Sequence, residues 1–105
     1  MSECNIDIQP GVCKLKTKIK ATMNDDMRVV FDVESDCADI TRLAETLGSV
    51  DPFQNICVKF SESEVYRAAD DIINHTACPV PCAFMKAIEV ASGMGLKADV
   101  IIEIK

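Results

Sequence analysis

The sequence predicts an α+β fold, a three-stranded, largely antiparallel sheet with about three helices on one face. Three observations carry this. Residues 14–23 and 27–34 alternate polar and apolar, three later segments repeat apolar residues at helical spacing, and Val100, Ile102 and Ile104 resume the alternation. A chain of 105 residues with 49% apolar and 27% charged residues has material for one core and not two, so residues 1–105 are expected to form one domain.

Residues 1–10 are expected to be a loose segment. From Lys14 to Met23, Lys14, Lys16, Lys18 and Lys20 share one face while Leu15, Thr17, Ile19, Ala21 and Met23 share the other, the pattern of a half-buried strand. Asn24, Asp25 and Asp26 are turn residues. Met27, Val29, Phe31 and Val33 then resume the apolar phase, so the two strands make a hairpin. A three-residue loop at 24–26 pairs positions summing to 50 and sets Lys18 opposite Asp32 and Lys16 opposite Glu34. A sum of 52 also opposes unlike charges but draws Met27 into the loop, and ranks second.

Asp36 is expected to cap a helix over 38–47, with Ile40, Leu43, Ala44 and Leu47 as its apolar stripe and Gly48 as its stop. Val50, Phe53, Ile56, Cys57 and Phe60 recur at helical spacing after Asp51–Pro52, so a short buried turn is expected there, with Cys57 in the core. Ser61 and Glu64 read as the capping box of a helix over 62–73. Pro81 suits the first turn of a third helix that runs to Ser92 and stops at Gly93 and Gly95. The alternation of Val100, Ile102 and Ile104 with Asp99 and Glu103 closes the fold with a last strand.

Eleven basic residues against seventeen acidic ones give a net charge of −6, which opposes attraction to phosphate backbones, so nucleic acid is not expected as a partner. No apolar run approaches the roughly 20 residues that span a bilayer, and the first ten residues lack a signal-peptide core. No membrane association is expected, and the expected compartment is the cytoplasm. There six cysteines point to metal, redox or buried thiols instead of a disulfide scaffold.

Cys13 and Cys37 share inward parity at one end of the hairpin, and Cys37 also opens a helix, where free N–H groups favour a thiolate. His75, Cys78 and Cys82 form the second element, in HTACPVPC, with Cys82 in the first turn of the third helix. Zn²⁺ takes four ligands and Fe–S clusters usually take four thiolates, a number that Cys13, Cys37, Cys78 and Cys82 supply, with His75 as a further donor. Convergence requires the third helix to bring its start towards the Cys13 and Cys37 end. Buried small thiols or an incidental disulfide compete for Cys13 and Cys37. Cys4 lies in the N-terminal segment and reads as incidental. No nucleophile elbow, phosphate loop, HExxH or EF-hand is present, and no catalytic residue is assigned.

The segments PGVC, ESDC before a helix, and HTACPVP leading into KAIEVASG resemble a family of small uncharacterised proteins from methanogenic archaea and anaerobic bacteria. The resemblance runs from Pro10 onward. It implies a cytoplasmic protein of anaerobes, where oxygen-sensitive thiols survive, and supplies no activity. The layout of cysteines at a strand end and two helix starts is also similar to Fe–S scaffold proteins, by analogy alone. Three functions are compatible with these residues: a metal- or Fe–S-binding protein for storage, delivery or structure; a thiol-redox protein using Cys78 and Cys82; and a non-catalytic module, a homo-oligomer through an edge strand or helix face, with structural cysteines.

Overall fold

The computed structural model describes residues 3–105. Four antiparallel strands, β1 (Glu3–Ile8), β2 (Thr17–Met23), β3 (Val29–Ser35) and β4 (Ser49–Val50), form one sheet in the order β1-β2-β3-β4. The helices are α1 (Ala38–Leu47), the single turn α2 (Phe53–Ile56), α3 (Glu64–Ile72) and α4 (Val80–Ala91), with a 3₁₀ turn at Phe60–Glu62. The expected three-stranded sheet is therefore four-stranded, and its composition differs from the expectation at both ends of the chain.

At the N-terminal end, Cys4, Ile6 and Ile8 alternate with Glu3, Asn5 and Asp7, and the segment expected to be loose pairs with β2 through Cys4↔Ala21 and Ile6↔Ile19. Cys4, expected to be incidental, is buried in the core. At the other end, residues 96–105 carry no regular structure and the expected last strand is not formed. Strand parity holds within β2, where Ile19 is buried and Lys18 faces water. The strand begins at Thr17, not Lys14, and Leu15 and Met27, expected on the inner face, are exposed.

The hairpin register is the second-ranked one. Lys18 pairs with Glu34 and Lys20 with Asp32, a sum of 52. The loop is Asp25–Met27, a turn closed by Met27 N–H donating to the Asn24 carbonyl at 3.1 Å, with Met27 in the left-handed region at φ 63°. Asn24 Oδ1 accepts from the backbone N–H groups of Asp26 and Arg28, each at 3.0 Å, and so fixes this loop instead of one at 24–26.

The inner sheet face is covered by α4 across β1 and β2 and by α1 across β3, with α3 packed between α1 and α4. Phe84 of α4 is fully buried and meets Phe31 of β3 edge to face, with ring centroids 5.1 Å apart. Gly48, at φ 59°, ends α1 and donates to the Ala44 carbonyl. Cys37, not Asp36, is the residue before α1; Asp36 N–H extends the strand ladder by donating to the Lys16 carbonyl at 2.9 Å.

Around α2 the spacing of apolar residues misleads. Phe53, Cys57 and Phe60 are exposed, while Pro52 and Asn55 are buried. Asn55 is held by four side-chain hydrogen bonds, donating to the Asp51 carbonyl and Glu64 Oε1 and accepting from Ser63 Oγ and the Val65 N–H. Ser63, two residues beyond the expected cap, is the N-cap of α3 and accepts from the Tyr66 N–H at 3.3 Å.

Candidate functional site

Six cysteines come from six different local settings, and all are free thiols. Cys13 is exposed on a turn between β1 and β2 that closes with Lys14 N–H donating to the Gly11 carbonyl. Gly11 at φ 96° and Lys14 at φ 60° break the strand pattern, so alternation does not extend back from β2 and Cys13 lies outside the inner face that its parity implied. Cys37 is half-buried at the start of α1. Its N–H donates to Ser35 Oγ at 3.1 Å, and Ser35 Oγ is itself 2.8 Å from Thr17 Oγ1, a polar seam joining the ends of β2 and β3.

Cys78 is half-buried before α4. The turn that carries it is closed by Cys78 N–H donating to the His75 carbonyl at 3.0 Å, and Pro79 and Pro81 stiffen the entry into the helix. Because neither proline has an N–H, the Val80 N–H is one of few free donors at this helix start, and it favours the Cys78 thiolate. Burial pushes the Cys78 thiol above its ordinary value, the Val80 N–H opposes this, and the neighbouring Cys37 and then Cys13 raise it further by like-charge repulsion. Cys37 at the start of α1 and Cys13 on the β1–β2 turn are thus each within electrostatic reach of Cys78.

Cys82 and His75 share a cleft with Cys78. Cys82 is exposed in the first turn of α4, within electrostatic reach of Tyr66 and Lys86. Burial raises the Tyr66 hydroxyl, and Cys82 adds to the rise. His75, exposed just beyond α3, lines a cleft of about 340 Å³ together with Tyr66, Asp70, Thr76, Cys78 and Cys82. Cys78 lines this cleft and is also the thiol on which Cys37 and Cys13 act. Among the described residues, no group of three or more His, Cys, Asp and Glu side chains is gathered closely enough to hold a metal ion as the side chains stand.

Strand parity sets Cys13 on the inner face opposite Cys37, and the turn at Gly11–Lys14 takes it off that face. Tyr66 and Asp70 were missed as cleft residues. Their signal was present: Tyr66, Ala69, Asp70 and Ile73 follow helical spacing along one side of α3, and all four line the cleft.

A protein-family profile matches residues 4–104, a span that holds all six cysteines and His75. The chain belongs to DUF6951, a family of unknown function. No curated protein and no solved structure matches it. Membership in DUF6951 therefore carries no activity to this chain, and its chemistry is argued from the thiols themselves.

Proposed function

We propose that the protein binds a soft metal ion, as Zn²⁺ or within an Fe–S cluster, through Cys13, Cys37 and Cys78, for storage, delivery or structure. What supports this reading is the placement of a half-buried Cys78 near enough to both Cys37 and Cys13 for each to raise its thiol by like charge. Desolvation and like charge both disfavour thiolates, and a bound cation reverses both effects at once, so the patch gains most from a metal. Sulfur donors match Zn²⁺ and iron in softness. The fourth donor is Cys82 or His75, which border the same cleft as Cys78.

Since no metal-holding group is gathered among the described residues as they stand, coordination requires the thiols to move towards one another. A reducing cytoplasm, in which six free thiols persist, suits this chemistry. The acidic balance of the chain argues against nucleic acid as the partner. A dithiol couple of Cys78 and Cys82 is less favoured, because a redox nucleophile needs a lowered thiol pKa and burial acts on Cys78 in the opposite direction.

The test is anaerobic titration of the reduced protein with Zn²⁺ against a chromophoric chelator, with metal analysis of natively expressed protein beside it. One equivalent should bind with release of protons, and Cys78→Ser should weaken binding by more than about 100-fold, since even outer-shell changes cost roughly 10- to 100-fold. Cys57→Ala should leave affinity unchanged. Absence of stoichiometric metal in both experiments, or an unaltered affinity in the Cys78→Ser protein, would overturn the reading.

A further inference from the structure

Two parts of the molecule have the chemistry of a β-ladder and lack a partner among the described residues. One is the outer side of β1, an edge strand of six residues whose only paired neighbour is β2. The other is the segment Leu96–Lys105, in which Val100, Ile101, Ile102 and Ile104 are 56%, 74%, 76% and 96% exposed. Four β-branched residues in a row of five, presented to water, are an unusual solvent face.

The two parts match. In β1 the even positions Cys4, Ile6 and Ile8 point to the core side and the odd positions Glu3, Asn5 and Asp7 to water. In the segment the even positions Val100, Ile102 and Ile104 are apolar, and four of the five odd positions from Lys97 to Lys105 are charged. Any antiparallel register that keeps even opposite even extends the inner apolar row past Ile6 and Ile8. The register that sets Asp99 against Asp7 and Glu103 against Glu3 is repelled. Moving two residues either way puts Lys97 opposite Asp7 or Lys105 opposite Glu3, an unlike pair in each case. The segment also departs beside this strand, since the Lys97 ammonium is close enough to Cys4 to offset part of the effect of burial on its thiol.

We propose that Leu96–Lys105 of one copy adds as an antiparallel strand to the β1 edge of a second copy, and that the exchange is reciprocal, closing a two-fold dimer. The reciprocal exchange covers the free edge and the exposed isoleucines in one step, which limits assembly to two copies instead of an open chain.

Light scattering on the eluting protein, under reducing conditions, tests this directly. The full chain should have twice the mass of one chain. A variant lacking residues 97–105, and separately Ile102→Asp, should have the single-chain mass with unchanged helical circular dichroism, because the segment is outside the core. Amide hydrogen exchange over Cys4–Ile8 should be slow in the full chain and fast in the shortened one, with β4 unaffected. A full chain of single-chain mass overturns the proposal. If its segment and β1 amides are nonetheless protected, the segment lies on its own chain's edge. A shortened variant that remains a dimer places the interface elsewhere and also overturns the proposal.

Discussion

Replacing Asn55 by Ala should be among the most costly single changes outside the apolar core. Asn55 Oδ1 accepts from the Val65 N–H at 3.1 Å and from Ser63 Oγ at 2.9 Å, while Nδ2 donates to the Asp51 carbonyl at 3.0 Å and to Glu64 Oε1 at 3.1 Å. The Val65 N–H belongs to the first turn of α3 and has no carbonyl within its own helix to receive it, and Val65 is fully buried. Leaving that donor unpaired costs about 1 to 3 kcal/mol, and the lost contacts of the amide add about 1 kcal/mol more. Ser63 Oγ can still turn towards Met85 Sδ at 3.6 Å, and Glu64 Oε1 keeps the Asp51 N–H at 3.3 Å, so neither is stranded. The expected loss is about 3 kcal/mol. In urea, with a slope of roughly 1.5 kcal/mol/M, the midpoint should fall by about 2 M. Asn55→Asp keeps the acceptor and sets a carboxylate beside Glu64, so its deficit at neutral pH should shrink as pH falls towards about 4. A loss below about 1 kcal/mol for Asn55→Ala, or an Asp variant indifferent to pH, would show that the network does not hold α2 to α3.

Further outcomes are expected at the hairpin loop and the thiols. Met27, 66% exposed in the left-handed region, should be improved by Gly: Met27→Gly removes a steric cost of about 1 to 2 kcal/mol and, after the added chain entropy, raises stability by about 0.5 to 1 kcal/mol, a rise absent if the hairpin loop is one residue earlier. Cys78 and Cys4 have thiols raised by burial, so the folded state favours the protonated form; stability should be full below the ordinary thiol value of roughly 8.5 and decline as pH rises above it, because the unfolded chain ionises first. Alkylation followed by peptide mapping should accordingly label exposed Cys57 well ahead of Cys78 at about pH 8 in metal-free protein, and equal rates would refute the burial of Cys78.

Much of the local structure is legible in the sequence because it depends on local pattern. Period-two alternation identifies the faces of β2 and β3, and α1 begins and ends where its stripe and Gly48 place it. The hairpin register is not decidable by charge, since sums of 50 and 52 both oppose lysines to carboxylates. One side chain decides it, Asn24, by accepting from two backbone N–H groups. Similarly, the spacing of Phe53, Cys57 and Phe60 suggests a buried face, but the four hydrogen bonds of Asn55 turn the opposite side of α2 inward. A buried amide with complete partners outweighs an apolar stripe, and no hydropathy pattern announces it.

The cysteines and the two chain ends show a second kind of limit. Alternation in ECNIDI is complete and in DVIIEI is broken only at Ile101, yet the first segment is a strand and the second is not. A strand needs hydrogen-bond partners that are distant in sequence, so pattern can establish that a segment suits a sheet without establishing which edge receives it. β1 finds β2 across the turn at Gly11–Lys14, and that same turn carries Cys13 off the inner face and towards Cys37 and Cys78. The position of Cys13 is therefore a consequence of the N-terminal strand: pairing β1 to β2 requires the reversal that presents it. Its reach to Cys78 comes from where the reversal falls, not from strand parity.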